Sequence, residues 1–134
     1  MADAARTVAQ YALRSRWSDL PATVQHESKR IFLNWLGCAL SGSGHPAVAS
    51  AQAAIAEFAG PPQATVLGRG VCMDIASATL LNGLSASAYA FDDTHLDTIA
   101  HPSAPSGAAL LALAERQPVR GTDFLHALIL ANEI

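Results

Sequence analysis

Between Asp74 and Tyr89 the chain is apolar on nearly every face of a helix, interrupted only by small polar residues such as Ser77, Thr79 and Ser85. A surface helix shows one apolar stripe and one polar face, whereas a helix with no polar face is buried all round. This segment therefore predicts a central helix with others packed about it. Gly83 lies in its interior, where glycine costs about 1 kcal/mol of helix propensity relative to alanine. Close helix-to-helix contact is the expected reason for it.

The neighbouring segments read as helices of the ordinary amphipathic kind. Residues 4–16 place Val8, Tyr11 and Ala12 on one face behind Asp3 as a cap. Pro21 opens a second helix, in which Val24, Ile31, Phe32, Trp35, Leu36, Ala39 and Leu40 recur at helical spacing until Gly42 and Gly44 stop it. A third runs from Pro46 to the Gly60-Pro61-Pro62 break. Ala64-Thr65-Val66-Leu67 favours an edge strand or extended connector, closed by Gly68-Arg69-Gly70. Ser103 or Pro105 opens a helix through Glu115, and Thr122 caps a last one with Phe124, Leu125, Leu128, Ile129 and Leu130. The fold class is all-α: a helical bundle with at most one short strand. No turn residue or capping glycine ends the last helix before Ile134, so the chain reads as cut off. Standing alone, it is expected to expose Phe124, Leu128 and Ile129.

Composition narrows the class of function. A net charge of -3 and a single lysine, Lys29, leave no basic stripe to neutralise phosphates, which excludes nucleic acid. No apolar run approaches the ~20 residues that cross a bilayer. The start Met1-Ala2-Asp3-Ala4-Ala5-Arg6 lacks the basic and apolar regions of a secretory signal. Cys38 and Cys72 form neither a disulfide framework nor a metal pattern and read as thiols in a reducing compartment. A cytoplasmic protein is expected.

Against this apolar background, Phe91-Asp92-Asp93-Thr94-His95 and His101-Pro102-Ser103 gather two carboxylates, two imidazoles and two hydroxyls within 13 residues. A polar cluster between two apolar helices is costly unless solvated, paired or used. Capping of the preceding helix would occupy one aspartate. The spacing of His95 and His101 matches no zinc pattern, so no metal is expected. Acid–base chemistry remains, with a histidine titrating near neutrality, an aspartate to orient it and a threonine to hold a substrate carboxylate. Elsewhere, Gly68-Arg69-Gly70-Val71-Cys72-Met73 lacks the third glycine of a dinucleotide fingerprint, and Gly42-Ser43-Gly44-His45 lacks the lysine of a phosphate loop. His26, His45 and His126 are isolated and read as surface or satisfied histidines.

These motifs together resemble the MmgE/PrpD family. The resemblance runs through Leu20-Pro21, the stretch Lys29 to Gly42 (KRIFLNWLGCALSG), Ala64-Thr65-Val66-Leu67-Gly68 and Asn82-Gly83. It continues through Phe91 to His95, His101-Pro102-Ser103-Ala104 and Leu111-Ala112-Leu113-Ala114-Glu115. It implies a cofactor-independent lyase or isomerase acting on a small polycarboxylate, by dehydratase-, decarboxylase- or epimerase-type proton chemistry. Family members carry a large helical domain and a smaller lid domain with the site between them, and form homodimers through the helical domain. Carried over by position, Thr94 and His101 match site residues, and Asp92 and Asp93 match the paired acids before the threonine. A further family aspartate falls on Ala90, which can neither orient an imidazole nor accept a proton and weighs against decarboxylation. The family's remaining site histidine, lysines and tyrosine fall beyond position 134, so the chain alone is expected to be incomplete and inactive.

The expected catalytic residues are His101 as acid–base group, Thr94 as hydrogen-bond donor to substrate and Asp93 as orienting acid, with Asp92, His95 and Ser103 binding substrate. The competing class is a non-enzymatic helical module acting through dimerisation or a protein partner.

Overall fold

The structure, a computed structural model, describes residues 2–134. Its helices are α1 (Ala2–Arg14), α2 (Ala22–Gly42), α3 (Pro46–Ile55), α4 (Ile75–Ser87), α5 (Ser103–Ala114) and α6 (Gly121–Glu133). Single 3-10 turns occupy Trp17–Asp19 and Ala56–Phe58. The chain is mostly helical, and all-α describes it apart from one small hairpin. That hairpin holds two strands where the sequence pattern allowed one: β1 (Ala64–Val66) pairs antiparallel with β2 (Val71–Met73), Thr65 facing Cys72. Three residues are too few to show alternation, so β2 was not legible in the sequence. The turn between them takes Gly68 and Gly70 through φ of 69° and 66°, a region that glycine enters without steric cost.

Burial follows the helical repeat. In α2 the buried residues Ser28, Trp35, Ala39 and Gly42 lie along one stripe. That stripe packs on α4, α5 and α6, with Ser28 beside α6, and α4 and α5 pack most extensively on each other. One apolar cluster joins Val48, Val66, Met73, Ala78, Leu81 and Ala112, and a second joins Trp35, Ala39, Ala86, Ala104 and Ala108. Both α4 and α5 contribute to each, and the alanines let the helix axes come close. Trp35 is completely buried. Its indole N–H donates to the Ala104 carbonyl at 3.3 Å.

Two expectations for α4 need correction. The helix is not buried all round: Ala76, Leu80 and Ser87 are exposed, Leu80 to 55%, along an apolar groove that α4 shares with Ala104 and Pro105. Nor is Gly83 the close crossing. A Cβ built there would stand 3.5 Å from the Ala104 carbonyl oxygen and 3.8 Å from the Ala108 Cβ, which are ordinary contacts. The tight places are Gly107, where a Cβ would come within 2.8 Å of the Trp35 ring, and Gly42, where it would overlap the Ser85 carbonyl. A glycine inside an apolar helix is visible in sequence, but which glycine faces the crossing is set by the angle of packing.

The hairpin is tied down by side chains instead of further strands. Asn82 is fully buried in α4. Its Oδ1 accepts from the Leu67 amide at 2.9 Å, and its Nδ2 donates to the Thr65 carbonyl at 2.9 Å. The Glu115 carboxylate accepts from the Thr65 amide at 2.6 Å. These bonds satisfy the open edge of β1, which would otherwise present unpaired backbone groups. Arg69 in the turn donates from Nη1 to the Ser43 carbonyl at 2.8 Å, so the glycine-rich segment is a structural turn.

The helix ends show which caps the sequence revealed. Asp74 caps α4, accepting from the Ser77 amide at 3.1 Å and the Ser77 hydroxyl at 2.6 Å, and it reaches back to the Gly60 amide at 3.1 Å. The Ser77 hydroxyl, then the Ser77 amide, hold its carboxyl below the usual aspartate range. Asp3 lies in the first turn of α1 instead of capping it, and α6 begins after Arg120 with no side-chain cap, so Thr122 does not serve as one. Arg120 pairs instead with Asp123 at 2.8 Å. The last helix also finds cover within the chain. Leu128 is buried, Ile129 is half-buried, and half-buried Phe124 meets Phe32 edge-on at 4.9 Å.

Two outcomes follow from this packing. Gly107→Ala should lose roughly 1–3 kcal/mol in a urea melt through overpacking against Trp35, whereas Gly83→Ala should be neutral or gain up to about 1 kcal/mol; equal effects would contradict the assigned crossing. The second concerns Asp74, whose folded pKa is depressed. Its contribution is present above the ordinary aspartate value of about 3.9 and is lost as pH falls through the lower folded value. Asp74→Ala should therefore lower the melting temperature at neutral pH, with the deficit narrowing on acidification.

Candidate functional site

The polar residues lie in the connection from α4 to α5, and the backbone there is shaped to fold them inward. After Ser87 the Ala90 amide donates to the Ser87 carbonyl at 3.2 Å, with Ala90 at φ 54°. That left-handed residue reverses the chain and returns Asp92 beneath the end of α4. The Phe91 carbonyl accepts from Asn34 of α2 at 3.3 Å, while its ring stays exposed. A second reversal spans 95–100: the His95 amide donates to Ala100 at 2.9 Å and Ile99, at φ 55°, donates to His95 at 2.7 Å. A β-branched residue at positive φ is an outlier, so this turn carries strain. It brings His101 back beside Asp92, Asp93 and Thr94.

The two carboxylates do different work. Asp92 is buried, with its side chain 1% exposed, and Oδ2 accepts from the Ser87 hydroxyl at 2.8 Å. Its Oδ1 lies 3.3 Å from His101 Nδ1, yet no donor is directed at that oxygen. The ring N–H aims instead at the Asp93 carbonyl, 3.1 Å away. Asp92 thus meets the imidazole as a charge more than as a hydrogen-bond partner. Asp93 turns its carboxylate to the start of α5, where Oδ1 accepts from the Ser103 amide at 3.2 Å and Oδ2 from the Ser103 hydroxyl at 2.7 Å. A carboxylate at a helix N-terminus is favoured by the unpaired amides and the helix dipole.

Around His101 Nδ1 stand the Asp92 carboxylate, the Asp93 carbonyl and, at 3.3 Å, the Thr94 hydroxyl. The first two only accept, so Nδ1 carries the proton in the neutral ring and Nε2 carries the lone pair. The imidazole is 36% exposed. The geometry therefore offers a partly exposed imidazole with a buried carboxylate on its Nδ1 side. Thr94 Oγ1 donates to the Asp92 carbonyl at a long 3.4 Å.

Of the six residues singled out from sequence, Asp92, Asp93, Thr94, His101 and Ser103 converge. His95 does not: its Nδ1 pairs with Thr98 Oγ1 at 2.8 Å within its own turn. Asp92 and Ser103, expected to touch substrate, are buried and face protein groups. Sequence reasoning did not find Ser87, Asn34, Ser106 or Asn132. Asn132 Nδ2 donates to Ser103 Oγ at 2.8 Å from 29 residues away, and nothing local signals such a partner. Of the isolated histidines, His26 is exposed, His45 Nδ1 caps α3 by accepting from the Ala47 amide at 3.2 Å, and His126 Nε2 pairs with Ser15 Oγ at 2.8 Å. Among the described residues no three His, Cys, Asp or Glu side chains converge as a metal site, and no helix is long and apolar enough to cross a membrane.

Cys38 on α2 reports on the same loop. Burial pushes its thiol above the ordinary range, and the charges of Asp92 and Asp93 push it further. Cys72 is exposed. A thiol reagent at mildly alkaline pH should modify Cys72 first. Replacing Asp92 and Asp93 by asparagine should accelerate Cys38 severalfold, and an unchanged Cys38 rate would show that the carboxylates do not face it.

The family description "MmgE/PrpD N-terminal domain" matches residues 6–134. The chain is 32% identical over 123 residues to the cis-aconitate decarboxylase-like protein oryM of Aspergillus oryzae, covering 87% of this chain and 26% of that protein. The chain thus spans about a quarter of the length of that relative.

Proposed function

The chain belongs to the MmgE/PrpD family, and from that premise we propose that it supplies the acid–base part of a lyase or isomerase site for a small polycarboxylate. The supporting observation is His101, with its Nδ1 facing the buried Asp92 carboxylate at 3.3 Å and its ring partly exposed. In this reading Nε2 takes a proton from, or returns one to, the carbon beside a substrate carboxylate. The Asp92 oxygen that lacks a directed donor gains most when the ring becomes cationic, which is the state reached after proton uptake. The orienting expected of Asp93 is done by its backbone carbonyl, while Asp92 places a buried charge beside the ring. Asp93 fixes the loop to α5, and its carbonyl holds Nδ1 in place.

Thr94 remains the group for a substrate carboxylate. Its two contacts are 3.3 and 3.4 Å long, so an anionic oxygen competes with them easily. Lys29, the sole lysine, lines a separate apolar cleft with Phe32, Leu111 and Phe124. Cationic groups for the remaining carboxylates would come from elsewhere in the complete assembly. Tyr89, Phe91, Leu96 and Ile99 stand exposed around the loop. They suit a covering body, a second subunit of a homodimer or a lid, that would shield the proton transfer from water. Ala90 stands where the family resemblance implies an aspartate, so dehydratase, epimerase or an unassigned chemistry suits this loop at least as well as decarboxylation. Two free cysteines suit a reducing cytoplasmic setting.

The test is turnover of 2-methylcitrate, cis-aconitate and iminodisuccinate by protein containing this chain, with and without His101→Gln. Loss of at least ~100-fold is expected for a general acid or base. Turnover that His101→Gln leaves unchanged would remove His101 from the chemistry.

A further inference from the structure

We propose that Asn132, on the last helix, is a positioning residue for His101, acting through Ser103 and Asp93; this rests on reading His101 as the acid–base group. The chain of contacts is continuous. Asn132 Nδ2 donates to Ser103 Oγ at 2.8 Å, Ser103 Oγ donates to Asp93 Oδ2 at 2.7 Å, and the Asp93 carbonyl accepts from His101 Nδ1 at 3.1 Å. Ser103 is 1% exposed, so water does not substitute for either of its hydroxyl partners.

The direction of these bonds follows from charge. An ionised Asp93 can only accept, so it takes the one proton that the Ser103 hydroxyl has to give. The Ser103 oxygen is then left to accept, which requires a donor where Asn132 Nδ2 stands. The Ser106 hydroxyl, 2.8 Å from Asn132 Oδ1 and 2.7 Å from the Pro102 carbonyl, divides its proton between those two acceptors and ties the amide to the first turn of α5. Each step from Asn132 to Asp93 therefore points the same way.

A simple tie between α6 and α5 would not need this polarity, since Leu128 already packs α6 into the bundle. What the polarity adds is a fixed Asp93. With both carboxylate oxygens held on Ser103, one by the amide at 3.2 Å, the Asp93 peptide is anchored, and its carbonyl stays on the ring N–H. Loosening Asn132 releases the Ser103 hydroxyl, then Asp93, and lets the imidazole exchange its proton between the two ring nitrogens. The effect on substrate chemistry is indirect, through the tautomer that His101 presents.

The tautomer is therefore the readout. Nitrogen NMR of the 134-residue chain labelled at histidine, taken where the imidazoles are neutral, reports which ring nitrogen carries the proton, and His101→Gln identifies the signal. Asn132→Asp preserves shape but sets a second carboxylate against the Ser103 hydroxyl. It should convert His101 from one Nδ1–H tautomer to a mixture, as should Asn132→Leu and Ser103→Ala. Combining Asn132→Asp with Ser103→Ala should add nothing to Ser103→Ala alone. Should Asn132→Leu fail to fold, Asn132→Asp carries the test. A wild-type tautomer in the Asn132 variants, with or without a lower melting temperature, would overturn the proposal and leave Asn132 as a helix tie. Absence of turnover in the wild type would count against the acid–base reading instead, and the NMR result would stand apart from it.

Discussion

The placement of the polar loop depends on where Trp35 puts the start of α5. The indole is fully enclosed, lies flat against Gly107 and donates to the Ala104 carbonyl. An aromatic side chain of this size dominates a small core, and here it also spends its only polar group on the first turn of α5. That turn carries Ser103, and Ser103 is what Asp93 grips. The order of dependence runs from a large buried ring to a helix end, from the helix end to a carboxylate, and from the carboxylate's own peptide to an imidazole.

The loop can hold so many polar groups beside an apolar bundle because almost every one is partnered. Asp93 takes two bonds from Ser103, Asp92 takes one from Ser87, and Thr94 closes on the loop backbone. One exception stands out, the Asp92 oxygen beside His101 that has no directed donor. Burying a carboxylate oxygen without a donor costs free energy, and the nearest polar group to it is the His101 ring nitrogen at 3.3 Å. The left-handed backbone at Ala90 and Ile99 brings the ring to that oxygen, which is the feature that the proposed acid–base role rests on. Strain and an unpaired buried polar atom commonly gather at working sites.

Much of this was legible in the sequence, and the part that was not has physical reasons. The helices of the bundle announced themselves by period, and Asp74 announced its cap because N-capping is local. The polar loop was conspicuous because a cluster of titratable groups contrasts with an alanine-rich surround. The second strand was hidden because three residues have no period, and α4 kept an open face that hydrophobicity alone does not show. Within the loop, composition named the residues but not their division of labour. Which aspartate faces the histidine depends on one left-handed residue at Ala90, and the partners Ser87, Asn34 and Asn132 come from different helices. Long-range partners of this kind become visible only when the helices are packed.

Membership of the MmgE/PrpD family and the buried Asp92 behind His101 meet in a single physical claim: the neutral imidazole keeps its proton on Nδ1 and turns a bare Nε2 outward. The most direct measurement is nitrogen NMR of His101 in the unmodified chain and in Asp92→Asn. The account predicts the Nδ1–H form in the unmodified chain and a loss of that preference when the carboxylate is neutralised. A proton on Nε2 in the unmodified chain, or a preference indifferent to Asp92, would contradict it.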